Sequence, residues 1–230
     1  MRNIFIACDT TNAKIVKKII KFSPSKIRNY RIGYKFGLEF FYSKYGRKFI
    51  SKLKTKNLWL DLKIHDIPNT SSSVIKSIKD LKNVSYMTVH ISGGYEMLKS
   101  IKKSKKKYHK KLKILGVTVL TSFSNSSIKK IGHTKSIKEL VKKQCLLAKK
   151  AKLDGIICSA HEVKSIKKIC RDMEIITPGV RLDGDKANDQ KRIMSPINAF
   201  KTGATSIVIG RSITKGNVKN NFKKLIKALS

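Results

Sequence analysis

Eight short apolar runs, rich in isoleucine, valine and other strand formers, recur along the chain, and lysine-rich stretches with helical spacing separate them. The runs cover residues 4–9, 31–36, 57–63, 84–90, 112–120, 153–158, 174–180 and 205–210. Their ends are spaced by about 29 residues, room for a strand, a crossover helix and two short loops. The spacing predicts helices within 13–21, 46–54, 70–81, 95–103, 136–151, 161–170 and 196–202, with 217–229 as the last. Strict strand–helix alternation requires a parallel sheet covered by helices. Eight repeats in 230 residues make a closed (β/α)8 TIM barrel the expected α/β fold, in one domain spanning 1–230. An open doubly wound sheet would carry a glycine fingerprint after its first strand, whereas "DTTNAK" follows here, without glycine.

Composition narrows the function classes. No apolar run approaches the ~18 residues that a membrane-spanning helix needs. The start, "MRNIFIACDTTN", lacks a secretory apolar segment and reads as the first strand. Cys8, Cys145, Cys158 and Cys170 show neither a C-x-x-C pair nor metal-ligand spacing, so reduced thiols in a cytoplasmic protein are expected. The net charge is +38, which would attract nucleic acid if it were clustered. Lysine is instead nearly everywhere, and the densest run, "KKSKKKYHKKLK", holds one aromatic residue. Lysine outnumbers arginine 44 to 8, and Ile and Asn are plentiful. An AT-rich coding sequence produces that bias, so no dedicated nucleic-acid or membrane partner is expected. Acidic residues that persist against the bias are informative.

In a barrel, chemistry gathers at the C-terminal strand ends. Those ends carry Asp9, Lys35, then Asp61, Lys63 and Asp66, then His90, Thr121, Ser159, Arg181 and Gly210-Arg211. Three of the fourteen acids stand on this rim, which marks it as a site. In "LWLDLKIHDIPNT", residues 58–70, strand alternation puts Asp61 and Lys63 on one face. Asp66 falls just past the strand. Two flanking carboxylates favour a charged Lys63, making it a proton donor held by Asp61 and Asp66. The structural alternative is an ion network that only fixes geometry. Pro68 stiffens the loop, and Thr70 or a nearby serine is the expected helix cap. In "IVIGRSI", Gly210 allows close backbone approach and Arg211 offers a fork for phosphate, aided by a following helix start. The long polar segment after the seventh run, 181–196, suits a lid closing over that phosphate, with Arg181 and Gln190 as donors.

"LDLKIHDIPNT" resembles the signature of the orotidine 5′-phosphate decarboxylase family. "KFGLEFF", "VHISGG", "GVTVLTS", "TPGVRLDGDKANDQKR" and "IVIGRSI" resemble its other motifs, in order, over essentially the whole chain. Cys8 and Ser92 stand where the family commonly has an aliphatic residue and alanine. The resemblance implies decarboxylation of orotidine 5′-phosphate to UMP and CO₂, the last step of de novo pyrimidine synthesis, by a (β/α)8 barrel with neither cofactor nor metal. It also implies a homodimer with shared sites. Lys35, Asp61, Lys63 and Asp66 would form a charge tetrad, with Asp66, Ile67 and Thr70 reaching into the partner's site. Asp9 and Lys35 would hold ribose hydroxyls, and Thr121 would line the pyrimidine wall. Arg181, Gln190, Gly210 and Arg211 would surround the phosphate. The rivals are a Mg²⁺-dependent sugar-phosphate decarboxylase or aldolase of the same superfamily, needing a metal carboxylate on the second strand, where this chain has Lys35 at the end and Glu39 only in the following segment, and a basic nucleic-acid-binding protein.

Overall fold

The computed structural model describes residues 2–55, 57–182 and 194–229. Eight parallel strands follow one another in chain order: β1 (Arg2–Ala7), β2 (Tyr30–Gly37), β3 (Leu58–Ile64), β4 (Val84–His90), β5 (Lys113–Val117), β6 (Gly155–Ile157), β7 (Glu174–Val180) and β8 (Ser206–Ile209). Each pairs with its successor, and β1 pairs with both β2 and β8. That last pairing closes the sheet into the expected barrel and removes its free edges. A two-residue strand, Lys26–Ile27, adds an antiparallel flap on β2.

All eight expected helices start within two residues of their expected positions, among them Ala13–Phe22, Ile137–Lys150 and Val218–Ala228. Local chemistry explains several boundaries. Asn12 Oδ1 accepts from the Lys14 and Ile15 N–H groups, and Ser136 with Glu139 forms a reciprocal capping box. The fifth run is a shorter strand than expected, ending at Val117. The one-turn helix Leu38–Phe41 and the helix Asn125–Lys130 were not expected, because so few residues carry little periodic signal. The helix after β3 corrects the cap assignment. It begins at Pro68, with Ile67 in the cap position and no side-chain cap. Proline suits the first helical position, where its missing N–H costs nothing, so Thr70 lies inside the helix and caps nothing.

Two apolar layers result. The larger lies between the sheet and its helices. The smaller fills the barrel interior with Phe5, Trp59, Tyr86, Leu115, Ile157, Ile176 and Val208. Phe5 meets Trp59 and Tyr86 edge to face, at ring distances of 5.1 and 5.2 Å, contacts worth about 0.5–1.5 kcal/mol each beyond burial. This plug is the dry floor of the site above it. All four cysteines are buried free thiols. Among the described residues, no helix is long and apolar enough to cross a membrane.

Candidate active site

Above the plug lies a cavity of about 610 Å³ at the C-terminal strand ends. Its wall includes Asp9, Lys35, Asp61 and Lys63 from the first three strands and their ends, Thr121 after β5, Arg181 after β7, and Gly210 and Arg211 after β8. Eight residues expected to share a site thus surround one volume.

Inward alternation on β2 and β3 brings Lys35 and Asp61 together. Lys35 Nζ lies 2.9 Å from Asp9 Oδ1 and 3.1 Å from Asp61 Oδ2. Lys63 Nζ donates to the same Asp61 Oδ2 at 2.8 Å. The result is a continuous row of alternating charge, Asp9–Lys35–Asp61–Lys63. Its centre is buried and its ends are wetter, with 9% and 10% of the Lys35 and Asp61 side chains exposed against 50% and 33% for Asp9 and Lys63. Burial works to raise the Asp61 pKa, but Lys35 and Lys63, helped by hydrogen bonds from Lys63 and Thr88, outweigh it and hold the carboxyl at about 2. Burial likewise works to lower the Lys35 pKa, and Asp61 and Asp9 reverse it to a net rise. The two central groups are therefore a fixed anion and a fixed cation at neutral pH.

The route by which Lys63 joins Asp61 differs from plain strand alternation. Pairing between β3 and β4 slips between Leu60 and Ile64, and Lys63 has φ 48°. That left-handed conformation costs a non-glycine residue about 1–2 kcal/mol, a strain held by surrounding contacts. Thr88 supplies two of them: its Oγ1 accepts from the Lys63 N–H at 3.0 Å and donates to Asp61 Oδ1 at 2.8 Å. Sequence reasoning missed Thr88. The usable signal was its place in "VSYMTVH", where Tyr86, Thr88 and His90 alternate with the outward Met87 and Val89.

Asp66 corrects another expectation. It was expected to hold Lys63 together with Asp61, yet among the described residues it forms no ion pair, and its Oδ1 accepts from the Ile67 N–H at 2.7 Å. The chain leaves β3 at Ile64 and enters the helix at Pro68, which carries Asp66, Ile67 and Thr70 out of the cavity lining. Ile67 is 66% exposed. His90 is half-buried near Lys63, and burial, His65 and Lys63 all lower its pKa, so its imidazole is neutral at pH 7.

On the far side of the barrel, Arg181 is buried, and its N–H donates to the Met194 carbonyl at 3.1 Å, tying the two described ends of the long loop together. Gln190 and most of the expected 181–196 lid lie outside the described residues. Pro196 already opens the next helix. A Cβ on Gly210 would meet only Ala7, at 3.6 Å, so packing alone does not require glycine there. The helix after it is a single turn, Arg211–Thr214. A Mg²⁺-dependent relative would need a carboxylate on β2; Glu39 lies past it, exposed on the helix Leu38–Phe41, and at the strand end the Lys35 ammonium stands between Asp9 and Asp61.

Comparison with known proteins gives the family and the fold. The sequence profile of the Orotidine 5′-phosphate decarboxylase / HUMPS family matches residues 2–224. An orotidine 5′-phosphate decarboxylase of Wolbachia sp. subsp. Brugia malayi is 44% identical over 200 residues, covering 85% of this chain and 87% of the relative. The enzyme of Buchnera aphidicola subsp. Acyrthosiphon pisum is 39% identical over 228 residues, covering 98% of this chain and 93% of its own. The crystal structure of orotidine 5′-phosphate decarboxylase from Lactobacillus acidophilus superposes with a TM-score of 0.82 at 31% identity, covering 100% of both chains. The protein therefore belongs to the orotidine 5′-phosphate decarboxylase / HUMPS family.

Proposed function

We propose that this protein decarboxylates orotidine 5′-phosphate to UMP and CO₂. The observation that carries the reading is the Asp9–Lys35–Asp61–Lys63 row on the wall of a cavity that also holds Arg181 and Arg211. β3 and β7 are diametrically opposite in an eight-stranded barrel, so a nucleotide laid across the mouth would span from the charge row to the two arginines. Arg181, Gly210, Arg211 and Gln190 would bind the phosphate. Asp9 and Lys35 would hold ribose hydroxyls, and Thr121 would line the pyrimidine wall.

The C6–carboxylate bond then breaks heterolytically. CO₂ leaves, and the electron pair stays on C6 in the ring plane, where the π-system cannot delocalise it. Electrostatic stabilisation from a preorganised cation is the tool the site offers. The Lys63 ammonium next to C6 would stabilise the developing carbanion and deliver the proton that completes UMP. Asp61, fixed as an anion, would face the substrate carboxylate. Phosphate binding is remote from the breaking bond, and its energy would drive closure of the 181–196 segment over the substrate.

The active unit on this reading is a cytoplasmic homodimer, with Asp66, Ile67 and Thr70 completing the partner's site. Their position outside their own cavity, with Ile67 exposed, supports that role. Incubation with orotidine 5′-phosphate should remove the substrate's ultraviolet absorbance, and Lys63→Ala should abolish the loss. Unimpaired turnover by Lys63→Ala would rule out Lys63 as the proton donor.

A further inference from the structure

Thr88 is fully buried on the inward face of β4, and none of the catalytic or substrate-binding roles above uses it. Its hydroxyl joins the Asp61 carboxylate to the backbone N–H of Lys63, a second link beside the 2.8 Å bond between the two side chains. The Oγ1 donates to Asp61 Oδ1 at 2.8 Å and accepts from the backbone N–H of Lys63 at 3.0 Å. One hydroxyl has a single proton and two lone pairs, so it can do both at once. The first bond occupies Oδ1 and leaves Oδ2 for both lysines, Lys35 at 3.1 Å and Lys63 at 2.8 Å. The second replaces a ladder bond. The register slip between Leu60 and Ile64 takes the Lys63 N–H out of regular pairing with β4, and the Thr88 hydroxyl is its acceptor. The backbone of Lys63 is held at φ 48° at the point where this bond is made.

We propose that Thr88 is a positioning residue: its hydroxyl sets the rotation of the Asp61 carboxylate and the backbone turn that aims Lys63 into the cavity. As it concerns the site assigned above, its kinetic arm rests on the decarboxylase reading, and a second arm does not.

The comparison is Thr88→Val, which keeps the shape and loses the hydroxyl, against Thr88→Ser, which keeps the hydroxyl and loses the methyl. Thr88→Val should lower kcat on orotidine 5′-phosphate by about 10- to 100-fold, the scale expected when a reacting group is misplaced by up to an ångström. Its KM and its affinity for UMP should stay within about threefold, since uniform binding is untouched. Thr88→Ser should keep kcat within about threefold of the parent. The second arm is hydrogen exchange of the Lys63 amide, followed by NMR. It should be slow in the parent and in Thr88→Ser, and at least about tenfold faster in Thr88→Val, because an amide without its acceptor opens more readily. Parental kcat in Thr88→Val, equal impairment of Thr88→Val and Thr88→Ser, or an unchanged amide exchange rate would each overturn the proposal. If the parent itself does not turn over orotidine 5′-phosphate, the decarboxylase reading fails and the exchange arm alone decides on Thr88. Should Thr88→Val not fold, Thr88→Ala makes the same comparison without a displaced methyl.

Discussion

Asp61 is the residue on which the charge row hangs, and Asp61→Asn puts a magnitude on it. Its carboxylate takes Lys35 at 3.1 Å and Lys63 at 2.8 Å on one oxygen and Thr88 on the other. The carboxyl is held at about 2 against an ordinary 3.8. That difference corresponds to about 2 kcal/mol of folding stability. Because the folded value lies below the unfolded one, the contribution is complete above the unfolded value. It is lost as the pH falls towards about 2, with about half gone by pH 3. Asn at position 61 forfeits it at neutral pH and leaves buried Lys35 with Asp9 alone. The expected total cost is about 2–5 kcal/mol, or a melting temperature lower by roughly 5–15 °C for a chain of this size. Urea unfolding followed by the fluorescence of Trp59, the sole tryptophan, reads the effect from the barrel interior. At pH 6 the variant should unfold at clearly lower urea, and at pH 3 the gap should narrow by about 1 kcal/mol. Equal midpoints at pH 6, or a gap that does not change with pH, would refute the idea that the two lysines stabilise a charged Asp61.

Two other perturbations separate binding from chemistry. A Cβ added at Gly37 would come within 2.7 Å of Asp9 Oδ1, so Gly37→Ala should swing Asp9 away from Lys35. Asp9 is half-exposed, which keeps the stability cost below about 1 kcal/mol. KM for orotidine 5′-phosphate should rise about tenfold, the worth of about 1.4 kcal/mol, with kcat nearly unchanged; an unaltered KM would remove Asp9 from the ribose site. Shared sites are tested by mixing Asp66→Ala with Lys63→Ala, each inactive alone. Each mixed dimer then contains one site lacking both groups and one intact site, so part of the activity should return. No recovery after verified subunit exchange would confine Asp66 to its own subunit.

Much of this protein was legible before its fold was known, and the reason is local. Each strand–helix repeat carries its own periodicity, so eight runs and their intervening helices can be read segment by segment, and a closed parallel barrel then follows from their number. Charge scarcity did the same for the rim: Asp9, Asp61 and Asp66 stood out in a chain of 44 lysines, and two of them share the cavity wall with Lys35 and Lys63. What remained hidden depends on neighbours distant in sequence. Spacing suggested that Lys63 would lie between Asp61 and Asp66. The family resemblance joined Lys35 to Asp61 and Lys63, and the closed barrel extends the row to Asp9, since β1 and β2 become neighbours only when the sheet forms. The slipped pairing at Leu60–Ile64 and the left-handed Lys63 are set by β4 rather than by "DLKIHD" itself. Thr88, 25 residues beyond Lys63, is an ordinary strand threonine in sequence. It becomes a partner of both charged groups because the barrel turns its side chain inward at their height.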